Sequence, residues 1–340
     1  MSSHLAFRLF KVETFLKGSN KALEDDVLLS GRELIEYVED SLSVLEKHIV
    51  REKPSFLLHP SQFEEHEPIE GDPCFLVLSY ERSERLIAAV VSRGTYGELD
   101  KLVGSSTDTT QVIRDKAATT DYLVKIAFPE NSNICYVAAQ VRGVRNAGDE
   151  LFRVISHEQH KLASRVENGE VVVKDDWYNL RATPIMDGKR LDSVLNGADV
   201  TGMTLTRRGV TNSGGRQKGK TKIAVGLTHL DDTTKFKIKQ VLEKWITRRK
   251  GGVGSTPSAG ASEIATAFPS GYLKPDDSWD DGKISYIENN RTKTIAERDI
   301  DRLFVYPMPD GSTLSRMWEE ANLRLRNIGK ADSVEIPAVD

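Results

Sequence analysis

Arginine and lysine crowd one stretch of this chain. Arg207 and Arg208 precede a run rich in Gly, Ser and Asn. Arg216, Lys218, Lys220 and Lys222 alternate after it, and Arg248, Arg249 and Lys250 close the next predicted helix. Cations spaced by glycines suit a polyanion, because the backbone can follow a surface and each cation brought to a phosphate releases condensed counterions. Such contacts position a protein on a nucleic-acid backbone without reading bases. A solvated loop and a helix end favoured by the helix dipole would have the same composition. The concentration argues otherwise: residues 201–252 carry 13 Lys or Arg against three acids, a net of +10, whereas the rest of the chain carries 34 basic and 48 acidic side chains. So local a bias is a statement about partners rather than fold.

Other constellations are weaker. Gly214, Gly219, Lys220 and Thr221 match the phosphate-loop spacing, but that loop needs a helix N-terminus after it. Here Ile223, Ala224 and Val225 read as a strand, so the match is accidental. His157-Glu-Gln-His160 has one residue too few between Glu and the second His for a zinc-protease helix and has no third ligand nearby, so it is expected on a solvated helix face. His59, Glu64, Glu65, His66 and Glu67 lie in a Pro-containing connection and read as an exposed loop. Asp276, Asp277, Asp280, Asp281 and Lys283 resemble the acid set of a Mg²⁺-dependent nuclease, but such sites draw their carboxylates from separate strands. These residues fall in one expected turn before Ile284. No nucleophile-elbow serine and no dinucleotide fingerprint opening a helix is present, so no catalytic residue, metal ligand or cofactor is expected. Trp245 and Trp318 lie on apolar helix faces and are expected in the core. Trp279 sits in the acidic loop, and Trp177 completes the set of four. Nothing interleaves aromatics with cations in the manner of a single-strand binder.

The elements that must position these residues follow from periodicity. His4 to Phe10 alternates as a strand. Ser30 and Glu33 have capping-box spacing ahead of a helix running to about Val50, with Leu34, Ile35, Val38, Leu42, Leu45 and Ile49 as its stripe. Cys74 to Val91 reads as a hairpin turning at Glu81 to Glu84, and Asp121 to Arg142 as another turning at Pro129 to Ser132. A helix over Asp149 to Arg165 would bury Leu151, Phe152, Ile155 and Leu162. Strands are expected at Glu170 to Lys174, Trp177 to Ala182, Met203 to Arg208 and Lys222 to Leu227. Further on, Asp231 to Arg249 reads as a helix with Ile238, Val241, Leu242, Trp245 and Ile246 inward. Residues 251–262 lack charge and large apolar side chains, the composition of a flexible linker. Strands at Ile284 to Ile287 and Arg302 to Tyr306 and a helix capped by Ser312 complete the chain. Strands and helices do not alternate regularly, so the fold class is α+β, with mixed or antiparallel sheets and packed helices. Three divisions are expected: a globular domain over 1–168, a basic second domain over 169–262, and a C-terminal segment over 263–340 that packs back on the globular part.

A chain of 340 residues that is 39% hydrophobic and 29% charged is neither disordered nor collagen-like. No apolar run reaches the ~18 residues of a membrane helix, and the first residues show no secretory signal. Cys74 and Cys135 are too few for a disulfide framework. A reducing cytoplasm is the expected location.

Two stretches together carry a resemblance. Lys116-Ala-Ala-Thr-Thr-Asp-Tyr-Leu-Val-Lys-Ile-Ala-Phe-Pro-Glu with Ile134-Cys-Tyr-Val-Ala-Ala-Gln-Val-Arg-Gly-Val resembles the first domain of RexA-like phage exclusion proteins. Trp177-Tyr-Asn-Leu-Arg-Ala-Thr-Pro-Ile-Met-Asp-Gly with Val200-Thr-Gly-Met-Thr-Leu-Thr-Arg is similar to the start of that family's second domain. The pattern covers about half the chain. It implies a prophage-encoded antiviral homodimer that binds double-stranded DNA without sequence preference, with a second domain that swivels and kinship to the recombination protein RdgC. It implies no catalytic residue. This chain departs from the pattern in a longer loop at 207–222 and in the stretch 251–262.

The expected function is therefore non-enzymatic binding of duplex DNA through Arg207, Arg208, Arg216, Lys218, Lys220, Lys222, Arg248, Arg249 and Lys250. It would act within phage exclusion, with a conformational change on DNA and no small-molecule substrate. The alternatives are a Mg²⁺-dependent nuclease and an interaction module that meets an acidic or membrane-bound effector partner.

Overall fold

The computed structural model describes residues 5–25, 27, 29, 31–46, 48–51, 53–54, 58–63, 67, 69–97, 101–102, 111–112, 117–143, 145–186, 190, 199–207, 221–226, 232–250, 257–267, 279–288 and 291–339. The chain divides into two units: Met1–Ile185 with Tyr306–Asp340, and Met186–Val305, which is inserted into the first. The boundaries expected from composition fall elsewhere, the second of them inside a helix.

The strands are β1 (Ala6–Leu16), β2 (Pro73–Ser83), β3 (Leu86–Tyr96), β4 (Lys101–Leu102), β5 (Gln111–Val112), β6 (Ala117–Ala127), β7 (Ile134–Arg142), β8 (Arg145–Asn146), β9 (Ser164–Glu167), β10 (Glu170–Val173), β11 (Tyr178–Pro184), β12 (Asp199–Arg207), β13 (Thr221–Gly226), β14 (Asp281–Glu288), β15 (Arg291–Ile295) and β16 (Val305–Pro307). The α-helices are α1 (Leu34–Leu45), α2 (Gly148–Leu162), α3 (Asp232–Lys250), α4 (Pro257–Ala267) and α5 (Leu314–Asp332). Antiparallel ladders packed with helices make the chain α+β, as its pattern of elements implies. No helix among the described residues is long and apolar enough to cross a membrane.

The first unit is built on a sheet of order β11-β1-β7-β6-β3-β2, with β16 against β1 and β8 against β7. Its central strands are apolar on both faces, because both are covered. Phe10, Val12, Val137 and Ala139 meet Val38 and Leu42 of α1 and Phe152 and Ile155 of α2. On the other face, Phe7, Leu9, Tyr136 and Ala138 meet Met317, Trp318, Ala321 and Leu325 of α5. The result is three layers, with the C-terminal helix closing the second face.

Several boundaries differ from the sequence reading, each for a local reason. β1 runs on to Leu16, because β7 and β11 pair with it on either side; His4, the expected first residue, lies outside the described residues. Helix α1 starts at Leu34, with Glu33 and Glu36 forming the capping box. A turn in which Leu29 and Arg32 exchange backbone hydrogen bonds occupies the preceding residues, and Gly31 takes a positive φ there. Ser30, the expected cap, lies outside the described residues. The helix ends at Leu45, since Val50 leaves it to exchange hydrogen bonds with Phe75, and Ile49 is exposed rather than part of the stripe. Leu162, expected in the core, is exposed in the last turn of α2. Arg302 to Tyr306 is not one strand: Glu297–Phe304 coils as a 3₁₀ segment that buries Ile300, Leu303 and Phe304, leaving only Val305–Pro307 extended. Thr313, not Ser312, caps the final helix, its hydroxyl accepting from the Arg316 N–H at 3.3 Å.

The second unit is a four-stranded antiparallel sheet of order β13-β12-β14-β15. Met203, Leu205, Ile284, Tyr286 and Ile295 form its covered face, against Ile238, Leu242 and Trp245 of α3, Ile264 of α4, and Ile300 and Phe304. The expected linker at 251–262 is therefore corrected in its second half. From Pro257 onward the small residues form α4, and their smallness lets the helix lie close on the sheet. Residues 251–256 lie outside the described residues.

The tightest point of that contact is Gly282. A Cβ there would lie 2.8 Å from Ala261 Cα and 2.8 Å from Ile264 Cδ1. Gly282→Ala is expected to destabilise the second unit by about 1–3 kcal/mol, the usual cost of overpacking, read as a lower denaturant midpoint. A midpoint equal to wild type would show that α4 does not rest on the sheet at this residue.

Candidate nucleic-acid interface

The basic segment 208–220 connects two paired strands in sequence. β12 and β13 are in register, with Thr206 opposite Lys222 and Arg207 opposite Thr221. Adjacent strands lie about 4.8 Å apart, so the ladder brings both ends of the 208–220 loop within one interstrand spacing. Arg207 and Lys222, both exposed, stand at the end of this ladder on opposite faces of the sheet. Arg208, Arg216, Lys218 and Lys220 lie outside the described residues.

The sheet beneath is two-faced for the usual reason that side chains alternate. Opposite the apolar face, Thr204 and Thr206 of β12 register with Lys283 and Asp281 of β14 and with Ala224 and Lys222 of β13. Ser285 continues that row toward Thr294 of β15. None of these side chains described for burial is buried. The row is short, polar and hydroxyl-rich, with Lys222 at its β13 edge. Helix α3 adds Lys237 and Lys244, both exposed, on the side away from its buried stripe. Arg249 and Lys250 lie in its last turn.

Arg248, expected to contact phosphates, is engaged by acids of its own unit. Its guanidinium is half-buried and donates to both carboxylate oxygens of Glu263, at 3.1 Å and 2.5 Å. It also pairs with Glu297 Oε1 at 2.6 Å. Glu263 Oε2 accepts in addition from the Trp245 indole N–H at 2.9 Å. Burial opposes the charge on Arg248, but the carboxylates of Glu263 and Glu297 outweigh it and raise the guanidinium pKa above its ordinary value. Both acids lie outside residues 201–252, so the charge tally along the sequence treats as available a cation that the fold neutralises.

The acidic cluster is corrected in placement. Asp281 and Lys283 are not in a turn but in β14, two residues apart on one face, with Nζ and Oδ2 at 3.9 Å. Asp280 N–H donates to the Thr206 carbonyl at 2.9 Å. Asp276 and Asp277 lie outside the described residues. Among the described residues, no group of three or more His, Cys, Asp or Glu is placed to hold a metal ion.

The histidine pair is corrected as well. His157, Glu158 and His160 are buried, not solvated. The reason is that this side of α2 lies on β11, where the Ser156 hydroxyl accepts from the Leu180 N–H at 2.8 Å. Glu158 accepts from or pairs with His48 Nε2 at 3.3 Å, and the His160 ring stacks on Trp177. Of the remaining motifs, Thr221 opens a strand and not a helix, which denies the phosphate-loop match its N-terminus, as its flanking sequence indicates. Trp177, Trp245, Trp279 and Trp318 are all buried. In the second His/acid cluster, His59 bonds to Ser61 Oγ at 2.8 Å beside a 3₁₀ turn, and Glu64, Glu65 and His66 lie outside the described residues.

No family model matches this chain, and no curated protein or solved structure shows significant similarity to it. The geometry of its charges thus carries the functional argument. It separates two arginines that look equivalent in sequence. Arg248→Ala strips Glu297, only 8% exposed, of its cation, and is expected to cost about 3 kcal/mol, the low end for breaking a buried pair. Arg207→Gln is expected to leave thermal stability within about 0.5 kcal/mol of wild type. Equal stability of the two variants would show that the pairing of Arg248 with Glu263 and Glu297 does not hold the unit together.

Proposed function

We propose that this chain binds double-stranded DNA through its phosphates, without sequence preference and without catalysis. The observation that supports the reading is the β12–β13 ladder, which ends with an exposed cation on each strand, Arg207 and Lys222, one on either face of the sheet, beside the segment richest in cations. Arg208, Arg216, Lys218 and Lys220 extend that charge, and Arg249 and Lys250 add to it from the end of α3. Phosphate contacts need no rigid complementarity, only cations that can reach a regular row of charges. The acidic remainder of the chain disfavours DNA elsewhere and so orients it. The wider reading is a cytoplasmic homodimer in phage exclusion that changes conformation on DNA and signals to a membrane-bound effector. It is supported by the resemblance of residues 116–144 and 177–207 to RexA-like proteins.

The test is a gel shift on duplexes of unrelated sequence across a salt series. Neutralising roughly 6–10 phosphates predicts a ~10³–10⁵-fold loss of affinity between 50 and 200 mM salt. Replacing Arg207, Arg208, Arg216, Lys218, Lys220 and Lys222 by Gln should lower the log–log salt slope by about 5. A variant that binds as tightly as wild type, with the same slope, overturns the proposal. So does a wild-type protein that gives no shift at low salt.

A further inference from the structure

The first unit contains a cleft of about 620 Å³ that the DNA reading does not use. Its size falls within the range of pockets that bury small ligands. It lies where the end of β1 and the turn after it face the end of α2 and strands β10 and β11. Leu58, Val171 and Val173 give it apolar walls. At its inner side the rings of His160 and Trp177 stack, 4.3 Å between centroids and 15° from parallel.

Two polar side chains, those of His160 and Asn179, belong to the lining of this cleft, and each also has a buried atom without a hydrogen-bond partner, His160 Nδ1 and Asn179 Oδ1. The residues are only 6% and 7% exposed. Native proteins leave few such atoms unpaired, and each one asks for an explanation. Burial, then the charges of Lys17 and His157, push the His160 pKa down. Burial thus favours the neutral imidazole, in which one nitrogen donates and the other accepts.

Two cations line the same cleft. Arg181 lies with its guanidinium carbon 4.1 Å from the centre of the Phe15 ring and donates to the Ser19 carbonyl at 3.4 Å. Among the described residues, no carboxylate pairs with Arg181 or with Lys17. Apolar walls, the polar side chains of His160 and Asn179, and two cations without a carboxylate partner together suit one kind of ligand. It has a flat body, a hydrogen-bonding edge and an anionic group.

We infer that this cleft binds a mononucleotide, its base between the apolar walls with its edge toward Asn179 and His160, and its phosphate toward Lys17 and Arg181. The site belongs to the first unit and does not rest on the DNA reading. It departs from the expectation, drawn from sequence, that the chain takes no small molecule.

The experiment is isothermal titration calorimetry of the full chain with AMP, GMP, CMP and UMP, with adenosine and inorganic phosphate as partial ligands. At least one mononucleotide should bind with a Kd below ~1 mM, with both partial ligands at least about tenfold weaker, since base and phosphate contacts act together. Lys17→Glu and Arg181→Gln should each weaken binding about tenfold or more, as loss of a charge-assisted bond predicts, while circular-dichroism melts stay at wild type. Asn179→Ala should change the preference among bases. The Gln-substituted 207–222 loop should bind the mononucleotide unchanged. No heat from any of the four at ~5 mM, or full binding in both cation variants, rejects the site. Loss of binding in the loop variant places the nucleotide on the basic loop and rejects it equally.

Discussion

Strand β1 is the constraint on which the first unit depends. Its backbone pairs with β7 on one side and with β11 and β16 on the other, and both its faces are covered. Phe7 and Leu9 are buried toward α5, Phe10 and Val12 toward α1 and α2. A strand held on all four sides cannot slip by one residue without exchanging its two apolar sets, so its register is strongly specified. The rest of the unit is built outward from it.

The ends of the first unit's two segments meet the same strand. The chain leaves the first unit after β11, where the Ile185 N–H donates to the Leu9 carbonyl at 2.9 Å, and is back in it by Met308, whose N–H donates to the Leu5 carbonyl at 2.9 Å. Departure and return are thus both pinned to β1, within a few residues of each other. The insertion therefore costs the first unit little, because its loop is closed by strands the sheet already contains. The C-terminal helix, remote in sequence, completes a core laid down by the first strands.

Within the second unit, one cation is held by acids that only the fold brings near it. Arg248 spends its charge on Glu263 and Glu297 and holds α3, α4 and the 3₁₀ segment together. Arg207 and Lys222 sit exposed at the end of the β12–β13 ladder. In the first unit, Lys17 and Arg181 of the cleft are paired with no carboxylate among the described residues.

Much of the fold was legible in the sequence. The hairpins over Cys74 to Val91 and Asp121 to Arg142, the buried stripe of α3 and the α+β class follow from alternation, helical spacing and turn residues, which are local properties. The charge bias of residues 201–252 is likewise a property of sequence alone. Tertiary structure decided what depends on distant neighbours. It extended β1 to Leu16 by pairing it on both sides, and it made Pro257–Ala267 a helix, because small residues form a close helix–sheet contact as readily as a linker. It buried His157 and His160 by setting α2 on β11, and it paired Arg248 with acids 15 and 49 residues away. Periodicity reports which face of an element is apolar, but only the fold determines what stands opposite the polar groups on it, and that decides which of them remain available to a partner.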